Sequence, residues 1–302
     1  MLCCRLKLWK RRTIMSNTKK IFLYATYIAV ITCILLYYLF PSDMIKKTLA
    51  YKVSRANPDF SIITEQAVPI LPPGLKLKEV TIKRFDDAIF DITEIKIKPA
   101  LLSFLKPKTV YTFTGLTGGG GFDGTAVVSK KKSDGRFRIN INLNEIQILE
   151  IPGLQDFSKY RTAGLLSGQL AFDKSRRPLV NAQANLNLAN AMLTFPAPVF
   201  GLDSVSFQYV EGEITFNGRK MQIKKCTFNG TQVDGTIAGA ILLKNPFEKS
   251  TLRLSGSIQP HSNFIAGLGQ GIAGILLPQI KSTKNGIKFK IRGTLEDPKF
   301  SL

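Results

Sequence analysis

RFRININLN, residues 136–144, sets Phe137, Ile139, Ile141 and Leu143 on one parity and Arg138, Asn140, Asn142 and Asn144 on the other. In an extended chain successive side chains point to opposite sides, so this period of two gives one apolar and one polar face. The preceding KKSDGR, residues 131–136, contains Asp134-Gly135, a strong hairpin signal. A half-buried strand entered through a tight turn is the unit from which the chain beyond residue 58 reads.

Towards the N-terminus the pattern recurs. Leu75 and Leu77, then Val80 and Ile82, alternate with Lys76, Lys78, Thr81 and Lys83; Ile92, then Ile95 and Ile97, enclose Lys96 and Lys98. PILPPG, residues 69–74, reads as a turn between strands, and Ala100–Leu105, between Pro99 and Pro107, as a short helical turn. Tyr111 and Phe113 lead into GLTGGGGFDG. The four glycines at 118–121 are not a phosphate loop: no Gly-Lys-Ser/Thr follows, and TAVVSK continues as a strand. They imply a flexible turn or a close approach of backbones.

Towards the C-terminus, IPGLQDFSKYR at 151–161 predicts a short helix, and Leu166–Phe172 resumes the sheet before a turn at Arg177-Pro178. Ala184, Leu186 and Leu188 continue the alternation. Phe195-Pro196-Ala197-Pro198 is read as an interruption before Val205, Phe207 and Tyr209. Asn217-Gly218 and Asn229-Gly230 mark further hairpins around Met221, Ile223, Cys226 and Phe228. A loose unit then repeats as VDGTIAG, LRLSGSIQP and FKIRGTLEDP. Ile139, Ile141, Phe207, Phe216, Leu252, Leu254, Ile287, Phe289 and Ile291 are the candidate residues of an apolar groove or core. FIAGLGQGIAGILLPQI, residues 264–280, is apolar but broken by glycine. Its Phe264, Ile265, Leu268, Ile272, Ile275 and Leu276 could cap such a groove, touch a membrane, or form a core helix.

Upstream of the sheet stands IFLYATYIAVITCILLYYLF, residues 21–40, without charge, glycine or proline. Its length predicts a transmembrane helix, with Ile21, Phe22, Leu23, Tyr24, Ile28, Ile34, Leu35, Leu36, Tyr37, Leu39 and Phe40 as the membrane anchor. The apolar run is too long for a cleaved signal peptide and ends in no small-x-small site. Arg5, Lys7, Lys10, Arg11, Arg12, Lys19 and Lys20, with no acid among them, predict a cytoplasmic N-terminus and an exported remainder. Met15 is an alternative start. PSDMIKKTLAYKVSRA, residues 41–56, predicts a helix near the membrane surface, ended by Asn57-Pro58. The expected organisation is a basic tail at 1–20, a transmembrane helix at 21–40, a juxtamembrane helix at 41–57 and a β-rich domain at 58–302.

The chain carries 42 basic and 21 acidic residues, a formal charge of +21. Outside the tail these are single lysines on alternating strand positions, with no recognisable nucleic-acid module, so no nucleic-acid partner is expected. Such charge suits an anionic lipid, an acidic partner protein or a solvated strand face. Cys3, Cys4 and Cys33 precede the β region, leaving Cys226 alone there, which excludes a disulfide scaffold within it. His261 is the only histidine and reads as a loop residue. Glu211 and Glu213 would share a strand face, but no nucleophile elbow or metal-ligand cluster accompanies them. The expectation is a non-enzyme with no catalytic or metal residues and no cofactor.

FPSDMIKKTLAYKVSRANPDFSI after the apolar run, PPGLKLKEVTI at 72–82, and the ending LRLSGSIQP…GIKFKIRGTLEDPKF resemble the type II secretion system protein N family and, more broadly, AsmA-like envelope proteins. The extension before Met15 and the glycine run depart from that pattern. The resemblance implies a mainly β fold: an N-terminal transmembrane helix, then an elongated, curved antiparallel sheet with a few short helices. It also implies a single-pass inner-membrane protein with a periplasmic C-terminal domain, acting as a non-catalytic accessory or scaffold of type II secretion. Its partners would be the inner membrane and other envelope or secretion proteins. The AsmA-like side of the resemblance implies the alternative, a phospholipid-binding or lipid-transfer protein that shields acyl chains along an apolar β groove.

Overall fold

The computed structural model describes residues 17–71, 73–131, 135–156, 161–174, 180–199, 202–246, 249–262 and 286–301. Two compact units meet at Pro41 and Ser42. In the first, helix α1 runs from Asn17 to Tyr38, with Thr26 Oγ1 donating to the Phe22 carbonyl at 2.9 Å.

Among the described residues no helix is long and apolar enough to cross a membrane. This corrects the expected transmembrane span at 21–40, its anchor residues, and the single-pass inner-membrane topology with a periplasmic domain. The helix spends its first turn on Asn17, Thr18, Lys19 and Lys20; Leu39 lies in a turn and Phe40 beyond it. The helical apolar part, Ile21 to Tyr38, reaches roughly 27 Å at 1.5 Å per residue, against about 30 Å of hydrocarbon. Tyr24, Tyr27, Tyr37, Tyr38, Thr26 and Thr32 also dilute it. The finding concerns helices and says nothing of a β-barrel.

The second unit opens with helix α2 (Ser42–Ala56) and is otherwise one sheet. Its strands are β1 (Phe60–Ile70), β2 (Gly74–Arg84), β3 (Asp87–Pro99), β4 (Lys108–Thr117), β5 (Gly120–Ser129), β6 (Phe137–Gln147) and β7 (Arg161–Lys174). There follow β8 (Val180–Val199), β9 (Leu202–Asn217), β10 (Lys220–Gly230), β11 (Val233–Leu242), β12 (Thr251–Pro260), β13 (Ile287–Thr294) and β14 (Pro298–Ser301). All fourteen pair antiparallel in sequence order, an elongated meander whose edge strands are β1 and β14. At about 4.8 Å per strand the sheet is on the order of 60 Å across.

The slips in sequence alternation are structural. Glu79, Glu145 and Asn190 have φ of 48°, 51° and 51° inside β2, β6 and β8. Each sits where the register skips or shifts, so that Leu77 and Val80, or Leu143 and Ile146, stay on one face despite odd spacing. Of the turns, Gly118 and Gly119 both take positive φ between the paired Thr117 and Gly120, the hairpin geometry that only glycine adopts without strain. Gly218 does the same after Asn217. Asn229-Gly230 is not the turn. Gly230 still belongs to β10, and the reversal occurs at Thr231 and Gln232, held by Thr231 N–H to the Ser206 carbonyl at 3.1 Å. FPAP does not interrupt the sheet either: β8 runs through it, and the prolines occupy a stretch without paired neighbours between Thr194 and Val199.

Short helices cover parts of this sheet. Residues 41–56 were expected at a membrane surface; α2 instead packs on β1, placing Ile45 and Leu49 against the buried Ala67, Leu77 and Val80. The expected helix at 151–161 is the five-residue α3 (Pro152–Asp156). It packs on both β3 and β7, with Gly153 against Ile89. A 3₁₀ turn at Leu101–Leu105 crosses from β3 to β4.

A candidate apolar binding face

Register defines the site. Direct partners run Pro69, Leu75, Ile97, Phe113, Gly124, Ile141, Leu170, Ala184, Ile214, Ile223, Gly239, Leu254, Ile291 and Phe300, one from every strand. Cross-strand partners share a face, and no polar side chain enters this row. One residue over, Lys76, Lys96, Thr114, Asp123, Asn142, Gln169, Asn185 and Glu213 form the matching row of the opposite face. Thus a single sheet is divided into an apolar side and a polar side.

Neighbouring backbone comes close to the apolar side at several glycines. A Cβ on Gly124, Gly168, Gly239 or Gly256 would lie 2.2, 2.2, 2.3 or 2.1 Å from a carbonyl oxygen of the adjoining strand. All four positions belong to the apolar side, so neighbouring backbone closes over it there. Phenylalanine rings fill the space that the glycines leave. Phe113 lies over Gly124, Phe122 over Gly115, Phe228 over Gly235 and Phe289 over Gly256, each pair being direct cross-strand partners. Phe113 and Phe122 are tilted neighbours with ring centroids 6.3 Å apart; Phe207 meets Phe228 edge-on at 5.4 Å.

All nine proposed groove residues are placed on this face. Leu252 and Ile287 are buried, while Ile139, Ile141, Phe207, Phe216, Leu254, Phe289 and Ile291 are half-buried. Half-burial is the decisive state. Among the described residues each strand packs chiefly on its sequence neighbours; α2 lays Ile45 and Leu49 over the apolar side at the β1–β3 end, and the short α3 packs between β3 and β7. The proposed cap residues Phe264, Ile265, Leu268, Ile272, Ile275 and Leu276 lie outside the described residues. The anchor residues of α1 are solvent-exposed from Ile21 to Leu35 and at Tyr37 and Leu39. The Phe–Gly pairs were missed in sequence because pairing register, not spacing along the chain, brings them together.

Polar groups hold the outer face. Glu94 bridges Lys76 at 2.5 Å and Lys96 at 2.8 Å; the hydrogen bonds from Lys76 and then Lys96 bring its carboxyl down to about 2. Arg138 pairs with Asp173 at 2.7 Å and Lys224 with Glu213 at 2.5 Å. His261 is more than a loop residue. Its Nε2 lies 2.9 Å from Asp234 Oδ2 and its Nδ1 3.2 Å from the Thr231 carbonyl. Two acceptors ask for two N–H donors, so the Asp234 hydrogen bond raises the His261 pKa. Asp234 is pushed up by desolvation but pulled below its ordinary value by His261 and the Gly230 N–H. Cys226 sits half-buried on the apolar side, where desolvation raises its pKa and disfavours the thiolate. Glu211 and Glu213 share the polar face, but Glu213 is committed to Lys224. Among the described residues no cluster of three or more potential ligands could hold a metal ion.

No protein-family model, no curated protein and no solved structure matches the chain. The secretion and inner-membrane terms implied by the resemblance are corrected accordingly. The chain has an elongated antiparallel β-sheet and, among its described residues, no membrane-spanning helix.

Proposed function

We propose that the chain binds the acyl chains of phospholipid along the apolar side of its sheet, as a binding protein that makes and breaks no covalent bond. The observation carrying this reading is the unbroken apolar row through fourteen strands, half-buried except at the exposed Phe300 and largely without a second layer among the described residues. A lone sheet with one apolar side needs a cover. A methylene chain supplies one without demanding hydrogen bonds, and the row presents none. The polar side, with its lysines and amides, faces water.

The accessory-subunit reading keeps one observation, the edge strands β1 and β14, of which β14 could extend into a partner's sheet. Lipid analysis separates the two. The full chain, purified without detergent, is extracted and its lipids weighed against protein. Stoichiometric phospholipid, lost in Ile141→Asp and kept in Asn142→Asp on the other side of the same strand, is the expected result. A folded, lipid-free wild-type protein overturns the proposal and favours the edge-docking scaffold.

A further inference from the structure

The polar side is not uniform. On β2–β3 Lys76 and Lys96 are balanced by Glu94, on β6–β7 Arg138 by Asp173, and on β9–β10 Lys224 by Glu213. The last three strands gather a basic cluster instead. Arg253, Arg292 and Lys299 are direct partners in one row across β12, β13 and β14, and Lys288 and Lys290 stand beside them on β13. All five are exposed, and none forms an ion pair among the described residues. Like charges opposite one another destabilise a sheet, so this arrangement is paid for unless an anion neutralises it.

A concavity of about 470 Å³ lies at the same place, lined by Thr236, Ser255, Gly256, Ser257, Lys288, Phe289 and Lys290. Two ammonium groups and three hydroxyls are the donor set that a tetrahedral oxyanion requires: fixed positive charge, plus donors for the remaining oxygens. Thr236 and Ser257 already orient one another at 3.2 Å. Arg253, Arg292 and Lys299 extend the positive field beyond the concavity.

We infer that Lys288, Lys290, Ser255, Ser257 and Thr236 form a binding site for a phosphoryl group, with Arg253, Arg292 and Lys299 as its electrostatic rim. The phosphoryl group belongs either to a lipid headgroup or to a soluble phosphate compound. The site lies on the side of the sheet away from the apolar row, so it stands or falls independently of acyl-chain binding.

The test uses the full chain and a Lys288→Gln/Lys290→Gln/Arg292→Gln variant, with equal far-UV circular dichroism and equal melting temperature as the check of folding. Inorganic pyrophosphate is titrated calorimetrically, and vesicles of neutral phosphatidylcholine are compared with vesicles holding 30 mol% phosphatidylglycerol. The expected result is binding to pyrophosphate or to the anionic vesicles. The variant should weaken it on the order of 100-fold, at roughly fivefold per removed cation, and salt should weaken it further. Pyrophosphate binding identifies a soluble ligand; anionic-vesicle binding without it identifies a headgroup. No binding to either probe, or equal binding by the variant, overturns the assignment. Should the triple variant melt early, Ser255→Ala/Ser257→Ala supplies the same comparison with the charge intact, and undiminished affinity there overturns the proposed donor set.

Discussion

Gly256→Ala tests the close approach of the strands on the apolar side most directly. Gly256 is on the apolar side of β12 and outside the left-handed region, so an alanine there meets only steric resistance. Its Cβ would fall 2.1 Å from the Thr236 carbonyl oxygen of β11 and 2.8 Å from the Phe289 ring of β13. The ring can turn. The carbonyl cannot, because it belongs to the β11 backbone that pairs with β12. Overpacking of this kind costs about 3 kcal/mol, which for a domain of this size lowers the melting temperature by roughly 6–12 °C. Gly212, on the apolar side of β9, is the control, because a Cβ there meets nothing within 4 Å. Gly212→Ala should gain about 0.4–1 kcal/mol by narrowing the unfolded ensemble. Thermal unfolding followed by circular dichroism measures both, and hydrogen exchange should locate the Gly256→Ala loss in β11–β13. If the two variants melt together, the close approach of β11 to Gly256 is wrong.

Other outcomes follow from the polar side and from α2. The Glu94 carboxyl, held at about 2 rather than 4.5, contributes stability that is full above pH 4.5 and lost as pH falls towards 2; Glu94→Gln should flatten acid unfolding over that window. His261, whose pKa is raised by Asp234, contributes stability that is full below its unfolded value of 6.5 and lost as pH rises through the folded one. His261→Gln should therefore remove a stability loss on the alkaline side of pH 6.5, read from urea midpoints. Leu49 of α2 packs half-buried on the Ala67, Leu77 and Val80 cluster. Leu49→Ala should cost about 1–2 kcal/mol, less than a fully buried leucine, and speed hydrogen exchange in α2 while leaving β12–β14 unchanged.

Much of the sheet was legible because a period of two is a local signal. The nine groove residues read from alternation all fall on one side, and even the slips at Glu79 and Glu145 are visible as odd spacings of aliphatic residues. What alternation cannot carry is register. Phe113 and Gly124, or Phe289 and Gly256, are partners only once the hairpins are aligned. The prolines of FPAP misled for a related reason: they forbid ladder hydrogen bonds, and a strand that splays locally does not need them. The apolar run before Pro41 misled because composition was read without the helix boundary at Tyr38. His261 was undervalued since Asp234 lies 27 residues away in sequence.

The apolar side also bears on which lipid it would hold. A methylene fully removed from water is worth about 0.8 kcal/mol, and a face that covers roughly half of it returns about 0.4. A sixteen-carbon chain then gains on the order of 6 kcal/mol before its ordering entropy is subtracted, which is marginal, as it is for a single myristoyl chain at a bilayer. Two chains side by side bury one another as well as touching the sheet. On the proposed function, a diacyl phospholipid should therefore bind at least 100-fold more tightly than its lyso form with the same headgroup. The apolar row carries no polar side chain from β1 to β14, so none along it would reject the second chain. Competition between the two lipids on the detergent-free protein decides the point. Equal affinity would mean that a closed pocket holds one chain, contrary to the open single layer of strands.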